Sequence, residues 1–138
     1  MKEKLKIVVI GCGRFAQFFV PLFKAHPYVE KVYVCDLIRE KAEDFRDRFE
    51  VEIIDTYEEA LASSEINCIA NFTQRHLHGP MIIEALKRGK HVYSAVPIGC
   101  TIEEIKEIVR LVKETRLIYM MGETCYYYPC AIYCREKY

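Results

Sequence analysis

Apolar runs of strand length alternate with amphipathic helical stretches along the whole chain, and this alternation restricts the fold more than any other feature of the sequence. Strands that pair in parallel need crossovers of a dozen or more residues, so the pattern reads as βαβ units around a sheet covered on both faces. The runs fall at 5–10 (LKIVVI), 31–36 (KVYVCD), 51–54 (VEII), 66–70 (INCIA), within 90–99 (KHVYSAVPIG) and at 116–121 (RLIYMM).

Helical periodicity predicts a helix over 14–25 with Phe15, Phe18, Phe19, Leu22 and Phe23 on one face, and another near 39–49 with Ala42, Phe45 and Phe49 inward. Thr56 and Glu59 have capping-box spacing for a brief helix. Thr101 and Glu104 have it for a longer one, with Ile102, Ile105, Ile108, Val109 and Val112 on its apolar face. A helix over 75–88 buries Leu77, Ile82, Ala85 and Leu86 and stops at Gly89, which suits the left-handed position past a helix end. Crossovers of fixed right-handedness then predict an α/β class fold: a Rossmann doubly wound parallel sheet, six strands in the order 3-2-1-4-5-6, helices on both faces. Residues 1–122 form this domain. Residues 123–138 read as the start of a connection to a further domain, because the final Arg135-Glu136-Lys137-Tyr138 stops mid-pattern in a helix, as in a truncated chain.

Gly11-Cys12-Gly13-Arg14-Phe15-Ala16 lies between the first strand and the first helix and matches G-x-G-x-x-G/A in the context that gives it meaning. Gly11 permits the tight turn, Gly13 lets the backbone approach a pyrophosphate, and Ala16 lets helix and strand pack closely. The bland alternative is a tight turn with no ligand. Asp36 ends the second strand 20 residues beyond Ala16, where a carboxylate accepts hydrogen bonds from an adenosine ribose. Leu37 follows it, so no adjacent arginine neutralises a 2′-phosphate; NAD is expected and NADP is less favoured, with Arg39 near enough to alter that. The loop 71–78, NFTQRHLH, opens at the carboxyl edge of the sheet near the switch point. His76 and His78 there are open to acid–base or metal roles, or to the commoner role of capping or solvating a helix start.

Lys plus Arg and Asp plus Glu both total 20 and are scattered, which leaves no electrostatic footprint for nucleic acid or an anionic membrane. No apolar stretch approaches the roughly 18 residues of a membrane span. Seven cysteines at irregular spacing fit free thiols in a reducing compartment, so a soluble, cytoplasmic protein is expected. Cys125, Cys130 and Cys134 lack a C-x-x-C pair and read as an apolar face or a contact surface rather than a metal site. That uncovered apolar tail favours self-association.

On these residues the chain resembles the N-terminal domain of the glucose–fructose oxidoreductase, inositol dehydrogenase and rhizopine catabolism (Gfo/Idh/MocA) family. The likeness rests on Gly11 to Ala16, Asp36, the loop 73–78, Gly89-Lys90-His91-Val92 and Gly122 through Pro129. The family loop reads T-P-N-x-x-H; Thr73 and His78 match, while Gln74 and Arg75 depart. The family's fifth strand ends in Glu-Lys-Pro, of which only Pro97 remains, and Val96 stands at the lysine position. The resemblance implies hydride transfer between a nicotinamide dinucleotide and a sugar, inositol or related polyol, in dimers or tetramers, with a second domain supplying a catalytic aspartate and histidine. It makes Gly11, Gly13, Arg14, Phe15, Asp36, Phe72, Thr73, Gln74, His78, Ala95 and Val96 the candidate cofactor-binding residues, and leaves no catalytic or metal-binding residue here. The 138 residues should bind cofactor without turning over substrate. Two other readings stay open: a stand-alone nucleotide-sensing module like those that gate potassium transport, and a family member that has lost catalysis.

Overall fold

Side chains alternate along each strand, and this alternation sorts the core into two layers. The computed structural model describes residues 4–138. Its strands are β1 (Leu5–Ile10), β2 (Val29–Cys35), β3 (Glu52–Ile53), β4 (Cys68–Asn71), β5 (His91–Ser94) and β6 (Tyr119–Met121). All pair in parallel, in the order β3-β2-β1-β4-β5-β6, as the sequence predicts. Val8, Ile10, Tyr33, Ile69 and Val92 face one layer, and Ile7, Val9, Val32, Val34 and Ala70 face the other.

The helices divide between those layers. α1 (Val20–Ala25) and α2 (Arg39–Phe49) cover the second through Val20, Ala42 and Phe45. α3 (Tyr57–Ala62), α4 (Arg75–Lys87) and α5 (Ile102–Thr115) cover the first through Ala60, Leu61, Ile82, Leu86, Ile108 and Leu111. Thr101 and Glu104 close a complete capping box on α5. At α3 the Thr56 hydroxyl accepts from Glu59 N, but the Glu59 carboxylate reaches past Thr56 to Asp55 N at 3.3 Å. Gly89 takes φ +76 after α4, in the role its position predicts.

The expected helix over 14–25 is broken into a 3-10 turn, Ala16–Phe18, and the six residues of α1. Pro21 is the cause: without an N–H it cannot continue the hydrogen-bond ladder from the turn before it, yet it fits the first turn of a helix that starts afresh at Val20. The break rotates the expected apolar face, so Phe18 and Leu22 are exposed while Ala16 and Val20 are buried. On α5, likewise, Ile102 and Val109 lie outside the buried face that Ile108 and Leu111 form. After β6 come a 3-10 turn (Thr124–Tyr127) and α6 (Pro129–Lys137), which buries none of its residues.

Lys90 is buried at the opposite edge of the sheet, donating from Nζ to the carbonyls of Ser63 and Ile66, the latter at 2.7 Å. Cys68, in the middle of the sheet, is pushed by burial up to about 12. An unfolded thiol ionises near its ordinary value of 9.0 while the folded one keeps its proton, so the folded state holds more protons between those values. Stability from this burial is complete below pH 9 and is lost as pH rises toward 12, at no more than about 1.4 kcal/mol per pH unit. Urea titrations at pH 8 and 10 should show that decline, with a shallower slope in Cys68→Ala; equal slopes would refute it.

Candidate functional site

The carboxyl ends of β1, β2 and β4 meet where the strand order changes direction, and short backbone contacts fix their loops there. Gly11 N–H donates to Cys35 O at 2.8 Å and Phe72 N–H to Ile10 O at 2.8 Å. Gly11 has φ +94, and a Cβ on it would lie 2.8 Å from Phe72 O, so both its conformation and its clearance require glycine. Gly13 differs: a Cβ there would meet nothing within 4 Å, which leaves its backbone open to solvent and to a ligand.

Asp36 joins the glycine loop to the second crossover. Its Oδ2 accepts from Cys12 N–H at 2.7 Å and its Oδ1 from Ile38 N–H at 2.8 Å. Each carboxylate oxygen retains a further acceptor site, so this strap does not exhaust the group. Burial, with the Asp36 charge second, pushes the Cys12 thiol up to about 12; it stays neutral at physiological pH and is no nucleophile.

On the other wall, Asn71 is fully buried, and its Oδ1 accepts from the Thr73 N–H at 3.0 Å and hydroxyl at 2.7 Å. Its Nδ2 is buried with no partner among the described residues. His78, also fully buried, sets one ring nitrogen 2.7 Å from Pro97 O and the other 3.1 Å from Thr73 O. A neutral ring donates from only one of the two. The imidazole therefore ties the loop after β4 to the loop after β5 and sits behind the cleft rather than on its surface. His76 is exposed.

These loops enclose a cleft of about 750 Å³. Gly11, Gly13, Asp36, Phe72, Thr73 and Gln74 line it, six of the residues expected from sequence. Arg14, Phe15, His78, Ala95 and Val96 lie outside this lining: Arg14 is exposed, and Phe15 rests on Phe19 and Phe72 with ring centroids 4.9 and 5.9 Å away. Ala95 N–H donates to Asn71 O at 3.0 Å, and Val96 is exposed beyond it, before a cis peptide to Pro97.

The remaining wall comes from the segments that follow β2 and β3; of its residues the sequence marks Leu37 only as the neighbour of Asp36 and Leu77 only as a helix position expected inward. Leu37, Ile38, Lys41, Asp55, Glu58 and Tyr57 line it, with Leu77 and Met81 from α4. Tyr57 OH donates to Met81 O at 2.6 Å, and burial pushes its phenol above the usual range. The signal that could have found them is general: every crossover leaving the carboxyl edge near the switch point faces the same crevice. Cys125, Cys130 and Cys134 are free and exposed, away from this wall.

The open backbone at Gly13, beside a carboxylate with unused acceptor sites, fits a dinucleotide: the first leaves room for a pyrophosphate, the second for ribose hydroxyls. Comparison with known proteins agrees. Residues 5–123 match the family model described as "Oxidoreductase family, NAD-binding Rossmann fold" of the GFO_IDH_MocA group. The chain is 30% identical over 125 residues to a scyllo-inositol 2-dehydrogenase (NAD(+)) of Bacillus subtilis, covering 88% of this chain and 36% of that protein. It is 29% identical over 136 residues to a glycosyl hydrolase family 109 protein of Streptomyces filamentosus, covering 91% of this chain and 28% of that one. A 3-ketoreductase of Actinomadura kijaniata, solved with NADP and TDP-benzene, shares the fold with a TM-score of 0.87 at 22% identity, over 96% of this chain and 41% of that one. The chain thus spans about a third of the length of the curated relatives it matches.

Proposed function

The chain belongs to the Gfo/Idh/MocA oxidoreductase family, and from that membership we propose that it is the NAD(H)-binding domain of an oxidoreductase acting on a sugar, inositol or related polyol. The observation that carries this reading is Asp36, held by Cys12 N–H and Ile38 N–H at the lip of the cleft beside the open backbone of Gly13. Asp36 accepts from the adenosine ribose hydroxyls, and Gly13 admits the pyrophosphate. Thr73, fixed by Asn71, and Gln74 are on the cleft lining, and in this reading the nicotinamide end runs from them toward Ala95 and Val96, which follow β5 outside that lining. A bound nicotinamide supplies the hydride chemistry. This chain's residues supply binding and orientation, since Ala95 and Val96 offer no proton donor or acceptor.

Residues 123–138 lead, in this reading, into a substrate domain that brings the acid–base groups. Exposed Ile118 just before β6, Met120 on it, and exposed Tyr126, Tyr127 and Tyr133 support a surface completed by further polypeptide or by another copy of the chain. Val96 supports a second reading, a family member that binds dinucleotide without transferring hydride. A sensor module has less support, because the family match runs on through β5 and β6.

Titration of the 138-residue chain with NADH, followed by calorimetry, tests the proposal. A dissociation constant of about 10 μM to 1 mM is expected, with no turnover of any polyol. Neither heat nor thermal shift with NAD(H) and NADP(H) would refute dinucleotide binding; robust dehydrogenase activity would refute the need for a second domain.

A further inference from the structure

Arg39 opens α2 three residues beyond Asp36, so its guanidinium is the cation nearest in sequence to the carboxylate assigned to the ribose. A guanidinium free at that end of the cleft would favour a 2′-phosphate, whose oxygens it can meet bidentately. The structure turns it elsewhere. Arg39 Nε donates to Glu43 Oε1 at 3.0 Å, one turn along α2, and Nη1 donates to the Asp55 carboxylate. Both acids hold the guanidinium above its ordinary range, Glu43 first and Asp55 second.

The two acids differ in placement. Glu43 is on the same helix and lies outside the cleft lining. Asp55 comes from the end of β3, 16 residues further along the chain, and stands on the cleft wall with Asp36 and Glu58. Arg39 is not on that wall, and Lys41 is the cation that is. Asp55 thus has two effects at once: it adds a negative charge where a 2′-phosphate would enter, and it draws aside the guanidinium that would compensate one.

We propose that Asp55 sets cofactor choice, holding Arg39 off the ribose end so that the cleft takes NAD(H) in preference to NADP(H). This rests on the reading that Asp36 meets the adenosine ribose. Asp55 is a specificity-determining residue acting partly through Arg39, and its effect falls on the ratio of the two affinities rather than on binding as such.

The test titrates the chain with NADH and with NADPH in four forms: wild type, Asp55→Asn, Arg39→Ala and the double variant. Asp55 is exposed, so the amide is accommodated without disturbing the core, and a thermal melt checks this. Removing one solvent-screened unit charge a few ångströms away changes an affinity by about threefold. The released guanidinium adds to that. Asp55→Asn should therefore cut the wild-type preference for NADH by about tenfold, and the double variant by no more than about threefold. Arg39→Ala alone should not reduce the preference. An unchanged ratio in Asp55→Asn would overturn the inference, as would a double variant equal to Asp55→Asn, since Asp55 would then act by charge alone. Loss of NADH preference in Arg39→Ala would overturn it too. A wild-type chain that binds neither dinucleotide would defeat the underlying reading and this inference together, whereas NADH binding with an unmoved ratio would defeat this inference alone.

Discussion

Gly13→Ala will leave the chain as stable as the wild type, or up to about 1 kcal/mol more so, while weakening NADH at least tenfold; Gly11→Ala will destabilise it by about 3 kcal/mol. The two glycines are separated only by Cys12, yet the structure gives them different work. At Gly13 the backbone lies outside the left-handed region and an added methyl meets nothing within 4 Å, so alanine removes unfolded-state entropy without strain. That methyl occupies the space through which a pyrophosphate would approach, so the cost falls on the ligand alone. At Gly11, φ +94 costs an alanine about 1–2 kcal/mol, and a Cβ 2.8 Å from Phe72 O forces two strand ends apart for a comparable further amount. For a domain of this size the total corresponds to a midpoint lowered by roughly 10 °C. Urea denaturation and NADH titration of both variants separate the effects. If Gly13→Ala bound NADH as tightly as wild type, the pyrophosphate would not pass over Gly13, and the proposed path through the cleft would be wrong.

That contrast also shows which parts of the molecule could be read from sequence. The strands, glycine loop and Asp36 are legible because their signals are local: continuous apolar runs of strand length, a turn needing two small residues, an acid ending an apolar run; the strand order then follows from the alternation with helices and the fixed hand of the crossovers. The break before α1 is written as locally, in Pro21, but the helical spacing of five apolar residues masks it and puts Phe18 and Leu22 on a buried face they do not share. His78 was legible as a residue worth attention, though not in its position. Only the folded loops bring Pro97 O and Thr73 O to its two nitrogens. The Arg39–Asp55 pair is out of reach altogether: Arg39 can be noted beside Asp36, but its partner lies in the loop after β3, 16 residues on, and a tertiary ion pair leaves no periodicity in a sequence.

Asp36→Ala should weaken NADH about 100-fold and lower stability by about 1–2 kcal/mol, and the two effects have separable origins. The carboxylate makes two internal hydrogen bonds, to the part-buried Cys12 N–H at 2.7 Å and to the exposed Ile38 N–H at 2.8 Å. Losing the first leaves a poorly solvated donor; losing the second costs little, because water replaces it. The larger loss in affinity comes from the charged acceptor, since hydrogen bonds to an ionised group are worth about 1.5–3 kcal/mol. Asp36→Asn distinguishes these roles. Its carbonyl can keep the Cys12 N–H while its amide turns to solvent near Ile38, so the loop strap survives with a stability loss under about 1 kcal/mol. The amide has one acceptor oxygen where the carboxylate had two, so NADH should still weaken about tenfold, and the charge opposing a 2′-phosphate is gone. The order expected in affinity is therefore wild type, then asparagine, then alanine, while in stability asparagine stays close to wild type. Alanine binding NADH as wild type does would confine Asp36 to bracing the glycine loop and would remove the observation on which the functional reading depends.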